Sequence, residues 1–313
     1  MLYRFDKKLI YRIFVFALVF ALIIILSGCA TGRSTFRHRL GPLDIIPEDF
    51  FLYFKINRSA TNIPVINERL EEFSAEMGIP QSFMERTNNI TAVFFDDDWG
   101  YIVAQGRYPD SFIRRSLRRT DGWEENSYQR IRYFISDNAK TIIISLKNTV
   151  IVSDFPMGQG RDFADQRAKR IIDIILSNET VSYPPVADSV FRITSNSPGS
   201  VFTQFVAQNV SLDNIIKVNF DIILEPRNRK TGGIHISFMV EEERHALLFN
   251  SVIRLFISDY VVKNRITDVR TLRENNSIFH SGVFVYVNIL DMPLEKLNMF
   301  IADFIGEANW LQV

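Results

Sequence analysis

The sequence predicts an α+β fold: antiparallel sheets with amphipathic helices on one face, read as two duplicated ferredoxin-like halves. Three observations carry this. Strand-length segments rich in Ile, Val, Phe and Tyr are joined by hairpin-length connections, as in ITAVFF (90–95) and YIVAQGRY (101–108) around Asp96-Asp97-Asp98-Trp99-Gly100. Apolar residues recur at helical spacing elsewhere, as with Ala164, Ala168, Ile171, Ile172 and Ile175. Finally, strand, helix, strand pair, helix, strand, helix is read twice along the chain, with extra strands in the first pass. That is the order of a ferredoxin-like unit, although two similar α+β orders also arise independently.

The elements follow in order. DFFLYFKIN (49–57) is a strand, and Pro64 opens a helix with Ile66, Leu70, Phe73 and Met77 on one face and Gly78 as its stop. After the 90–108 hairpin, Asp110 caps a short helix, 111–119. Three strands follow from Trp123, with TIIISL and TVIVSD turning through Lys147-Asn148. A helix then closes a first half, 43–180. SNETVSYPPVA (177–187) interrupts the pattern.

The second half, 186–313, opens with the strand SVFRITSN (189–196) and a helix over 201–208. In IIKVNFDII, Ile216, Val218, Phe220 and Ile222 alternate with Lys217, Asn219 and Asp221, which predicts a sheet with one wet face. GGIHISFMV is its hairpin partner. A long helix over 242–263, the strand 283–290 and a helix capped by Asp291 complete the chain.

The 313 residues balance 36 basic against 36 acidic groups, and 47% hydrophobic content with 27 Phe supplies a large core. There is one cysteine, Cys29, and what precedes it is organised. Arg4, Lys7, Lys8 and Arg12 make a basic start, and 13–26 is an unbroken apolar run of 14 residues. That is the layout of a secretory signal. It falls short of the ~20 residues that a spanning helix needs, and an uncleaved membrane helix is the alternative.

Leu26-Ser27-Gly28-Cys29 resembles the lipobox of bacterial lipoproteins at all four positions. The resemblance implies that a diacylglycerol is attached to Cys29, that residues 1–28 are removed, and that the protein is anchored to a membrane of the bacterial cell envelope, inner or outer. Residues 29–42, with Arg33, Arg37 and Arg39, then form a lipidated tether. Loss of 1–28 leaves 32 basic against 35 acidic residues, so no strong field for nucleic acid is expected.

Candidate sites are sparse. Asp96-Asp97-Asp98 lacks the alternating ligand spacing of a calcium loop. His38, His235, His245 and His280 show no zinc-type spacing, since none lies within five residues of another. Gly158-Gln159-Gly160 precedes a helix, but Phe163 stands where a dinucleotide fingerprint has its third glycine. Neither GxSxG nor SxxK occurs. Asp173, Asp221 and Asp259 sit beside apolar runs without declaring a pair. No catalytic residue, metal or cofactor is implied.

SFIRRSLRR sets Arg114 with Arg118, and Arg115 with Arg119, four apart on a helix opposite Phe112, Ile113 and Leu117. This basic stripe is either a solvated face or a contact for an anionic lipid or polymer. The expected function is therefore a lipid-anchored envelope protein with a non-catalytic binding, structural or assembly role. Its partners would be the membrane, through Cys29, and an envelope protein or anionic lipid. A hydrolase with a dispersed site and a carrier of an apolar ligand are the alternatives.

Overall fold

The computed structural model describes residues 50–58, 63–76, 81–95, 99–108, 110–154, 160–176, 189–196, 214–225, 230–266, 269–275 and 277–307. The segment read as a signal, Cys29, the expected tether, residues 96–98, the 177–187 junction and the helix expected over 201–208 lie outside them. Among the described residues the protein is mixed α and β, with twelve strands in antiparallel sheet and seven helices. Two compact units are formed, and the first strand, assigned from sequence to the first half, belongs from Phe51 onward to the second unit.

The first unit contains α2 (Gln81–Arg86), β2 (Thr87–Phe95), β3 (Trp99–Gly106), α3 (Asp110–Arg119), β4 (Trp123–Tyr128), β5 (Ile131–Ser136), β6 (Thr141–Leu146), β7 (Thr149–Asp154) and α4 (Gly160–Leu176). Its strands run in the order β2-β3-β7-β6-β5-β4. The β2–β3 pairing puts Phe95 opposite Trp99, as the hairpin reading requires. The β6–β7 turn carries Asn148 at φ 61°, a left-handed position that Asn tolerates. Gln129 and Arg130, between β4 and β5, both adopt positive φ (47° and 67°), the conformation of a two-residue type I′ hairpin.

Helices cover both faces of this sheet, which corrects the expectation of one. Ile113 and Leu117 of α3 share a core with Phe134, Ile143 and Val150. Tyr133, whose side chain points the opposite way from that of Phe134, hydrogen-bonds to Asp165 of α4. Arg167 and Arg170 of α4 lie 4.3 and 5.1 Å from the ring centroid of Trp99, on that same second face. Covering both faces explains the sequence: a strand wet on one side alternates, whereas β6 sets Ile142, Ile143 and Ile144 in succession because both sides are buried.

The second unit contains β1 (Phe50–Asn57) from Phe51 onward, β8 (Ser189–Ser195), β9 (Ile215–Leu224), β10 (Thr231–Val240), α5 (Glu243–Lys263), α6 (Val269–Glu274), β11 (Ile278–Ser281), β12 (Phe284–Pro293) and α7 (Leu294–Glu307). Helix α1 (Pro64–Glu76) is shared between the units, dividing after Asn67. The strand order of the second unit is β1-β8-β9-β10-β12-β11. Here the helices do lie on one face: Phe249 of α5 meets Phe238 edge-on, Leu297 of α7 lies against Gly232, and Tyr260 of α5 packs on Phe300 of α7. Both units are built mainly from strands paired to their sequence neighbours, and every registered pair is antiparallel. In a split βαβ unit another strand lies between the two strands that a helix joins, whereas here β8, β9, β10 and β12 lie side by side in chain order, so ferredoxin-like halves are not shown.

Candidate functional site

The face of the second sheet turned away from α5 and α7 was expected to be wet. Lys217 and Asp221 are instead fully buried, whereas Ile216 is 43% exposed. The pairing register explains how charges are accommodated there. Arg192, Asp221, His235 and Asn288 stand opposite one another across β8, β9, β10 and β12, and Thr194, Asn219, Ser237 and Tyr286 form the next row. Residues directly opposite in an antiparallel pair have Cβ atoms about 5 Å apart. Each row therefore becomes a line of hydrogen-bonding groups.

Arg192 donates from Nε to Asp221 Oδ1 at 2.7 Å and from Nη2 to Oδ2 at 2.9 Å, a bidentate pair in which the side chains are 7% and 1% exposed. Ser189 Oγ adds a contact to Oδ1 at 2.8 Å. In the second row Thr194 Oγ1 donates to Asn219 Oδ1 at 2.9 Å, and Asn219 Nδ2 donates to Ser237 Oγ at 3.0 Å. His235 Nδ1 pairs with Asn288 Oδ1. Burial, and then the neighbouring Arg192 guanidinium, push the Lys217 ammonium down to about 8.

Phe279, Tyr286 and Phe284 continue this face onto β11 and β12, stacked with centroids 4.9 and 6.0 Å apart. Their ring faces are turned to one another.

The arrangement brings Asp221, His235 and Ser237 onto one face, three residue types that nucleophilic catalysis uses. Their bonds do not form a relay. Asp221 is committed to Arg192 and Ser189, His235 to Asn288, and Ser237 to Asn219. A general base must reach the proton it removes, and here the histidine and the serine are each held by an amide. The row is built to hold the sheet together. Sequence reasoning weighed Asp221 and His235 but missed Arg192, Thr194 and Asn288. A charge inside the apolar run Val190-Phe191-Arg192-Ile193 was the available signal, and only the register reveals its partner.

The other candidates stand apart. Asp173 accepts from Gln129 Nε2 at 2.7 Å, and Asp259 pairs with Lys263 at 2.6 Å, so neither carboxylate is offered to a shared site. Among the described residues no three His, Cys, Asp or Glu side chains converge as metal ligands. In the arginine stripe, Arg115, Arg118 and Arg119 are exposed and Arg114 is half-buried. Arg118 is not a free cation: Nε and Nη2 grip Glu125 at 2.5 and 2.7 Å, and Arg132 reaches the same carboxylate at 3.2 Å. This holds the Glu125 carboxyl below the usual carboxylate range.

Among the described residues, helix α5 carries six of the nine exposed large hydrophobic side chains. Its inner side buries Ala246, Phe249, Asn250, Ile253, Ile257 and Val261. Its outer side exposes Leu247, Leu248, Val252, Leu255, Phe256 and Val262, with Leu248 and Leu255 at 69% and 75%. Among the described residues it is the one helix long and apolar enough to cross a membrane.

No family model matches the chain, and no curated protein matches it. Among solved structures it is similar to two titled as crystal forms IV and III of TP0453, each with a TM-score of 0.47 at 14% identity, covering 84% of this chain and 96% and 98% of theirs. Crystal form I of TP0453 gives a TM-score of 0.44 at 14% identity over 86% of this chain and 99% of that one.

Proposed function

We propose that this chain is a lipid-anchored protein of the bacterial cell envelope that acts by binding or assembly and not by catalysis. The observation that carries the anchor is Leu26-Ser27-Gly28-Cys29 behind a basic start and 14 apolar residues, in a chain with no other cysteine. Two or three acyl chains hold a protein stably at a bilayer, where one holds it only reversibly. A non-catalytic role is favoured because the most reactive grouping in the second unit has its hydrogen bonds spent internally. Arg192, Asp221, Asn219 and His235 each serve the sheet.

The test is the mass of the amino-terminal peptide from the full chain expressed in a bacterium. A peptide beginning at Cys29 and carrying acyl chains is expected, and Cys29→Ser should leave the chain unacylated. A product that begins at Met1 with a free thiol overturns the anchor. Turnover of ester, amide or glycoside substrates that is lost in His235→Ala would overturn the non-catalytic reading in favour of the hydrolase.

A further inference from the structure

We propose that the outer face of α5 is a second membrane seat, lying in the boundary between headgroups and acyl chains of the bilayer that holds Cys29; the choice of occupant rests on the anchor reading. A helix of 21 residues is about 32 Å long, enough to cross the hydrocarbon. Crossing is incompatible with its packing, because the inner side is sealed against the sheet by Phe249, Ile253, Ile257 and Val261. What remains is a helix that lies flat.

The outer side has the chemistry of an interfacial helix. Leu248, Leu255 and Val262 recur at intervals of seven, with Val252 and Phe256 beside them, so the outer arc is mostly apolar, interrupted by Ser251 and by the Asp259–Lys263 pair toward its end. Charge is kept away from its middle: Arg244 pairs with Glu242 at 2.6 Å at one end, and Lys263 pairs with Asp259 at 2.6 Å at the other. Arg254, the cation between them, donates to the carbonyl of Ile278 at 2.6 Å. A soluble protein seldom leaves so much contiguous apolar surface uncovered.

Chain length selects the bilayer as what covers it. Cys29 and Phe50 are 21 residues apart in the sequence, so the chain between them can span at most ~70 Å. A tether of that reach keeps the body at high effective concentration beside the membrane, whereas a second copy must be met by diffusion. The exposed face is also the outside of a single helix, a ridge rather than a groove, which suits a fluid partner.

The lone cysteine makes the test clean, since its acylation leaves an introduced thiol unique. Leu255→Cys, and separately Asp137→Cys on the exposed first-unit turn, are labelled with an environment-sensitive fluorophore on the acylated full chain. Each is placed in vesicles of equal parts phosphatidylethanolamine and phosphatidylglycerol, with or without brominated acyl chains. The Leu255→Cys probe should shift to the blue and be quenched by bromine roughly tenfold more than the Asp137→Cys probe, because an interfacial helix sits about 5–10 Å into the boundary. Adding Leu248→Ser and Phe256→Ser should return its emission toward that in water, with the far-ultraviolet circular dichroism preserved.

A water-like Leu255→Cys probe on acylated, vesicle-bound chain overturns the proposal and leaves the anchor standing. A blue-shifted probe that bromine does not quench, with chains cross-linking in pairs, overturns it in favour of a second copy. Quenching that persists in an unacylated Cys29→Ser background supports the α5 seat even if mass analysis refutes the anchor.

Discussion

Replacing Asp221 by Asn tests whether the buried pair with Arg192 holds the second sheet. The substitution is nearly isosteric and keeps the contact with Ser189, so packing is preserved while the negative charge is lost. What remains is a guanidinium with a 7% exposed side chain, beside a lysine that is already short of stabilisation. Breaking a buried pair by removing one partner costs about 3–5 kcal/mol, and the two charge-assisted bonds at 2.7 and 2.9 Å place this pair at the stronger end of its class. Removing both charges together should cost far less. Asp221→Asn, Arg192→Met and the double variant therefore form a cycle: with single losses of about 3–5 kcal/mol each and a far smaller loss for the pair, the expected coupling is at least about 3 kcal/mol. Urea unfolding, followed by a probe in the second unit, supplies the three values. Additive losses would refute the reasoning, since they would mean that the two side chains do not depend on each other.

Other expectations follow from single sites. Lys217 has a folded value of about 8 against 10.5 unperturbed, so the unfolded chain binds more protons between those values and stability should rise as pH climbs from about 8 toward 10; Lys217→Met should flatten that slope in thermal melts. Arg130→Gly should add about 1 kcal/mol, because glycine adopts the 67° φ of the β4–β5 turn without strain, and a lower melting midpoint would count against the turn assignment. Arg115→Gln with Arg119→Gln should reduce salt-sensitive binding to anionic vesicles if the stripe touches lipid, while the Leu255→Cys signal stays indifferent to salt. Arg118→Gln should cost only about 0.2–1 kcal/mol, since its pair with Glu125 is solvent-exposed.

How much of this was legible in the sequence depends on whether local pattern or register decided the outcome. Helices α4 and α5 were readable because Ala164, Ala168, Ile171, Ile172 and Ile175 in one, and Phe249, Ile253, Ile257 and Val261 in the other, recur at helical spacing. The hairpins were readable from Lys147-Asn148 and from the gap between Phe95 and Trp99. The wet face was read only in part: Asn219, His235, Tyr286 and Asn288 are half-buried on it, but alternation reports only that two faces differ and does not foresee that Lys217 and Asp221 are buried. Lys217 and Asp221 look solvated until Arg192 is brought opposite Asp221, and that pairing joins strands 29 residues apart. Likewise, nothing within TIIISL says which helix covers which side. The apolar outer arc of α5 was present in the sequence as surplus hydrophobicity, yet it was indistinguishable from core until the inner side was seen to be full.

That surplus separates two kinds of interaction on one protein. The polar rows of the second sheet are costly to bury and are satisfied internally, so they fix which strands pair and in what register. The outer arc of α5 is the reverse: it gains little from the fold, because Leu248 and Leu255 stay 69% and 75% exposed, and it carries a penalty in water for every apolar atom left exposed. A folded domain retains such a face when something outside it removes the penalty. On the proposed anchor at Cys29 the remover is close at hand, and the energetic consequence is directional. Deleting Leu255 should leave unfolding in solution nearly unchanged, since a side chain that is 75% exposed has little burial to lose, while it weakens membrane seating of the body. Leu255→Ser that lowers the melting midpoint in vesicle-free buffer as much as Ile253→Ser does would place the arc in the core of an assembly and not against lipid.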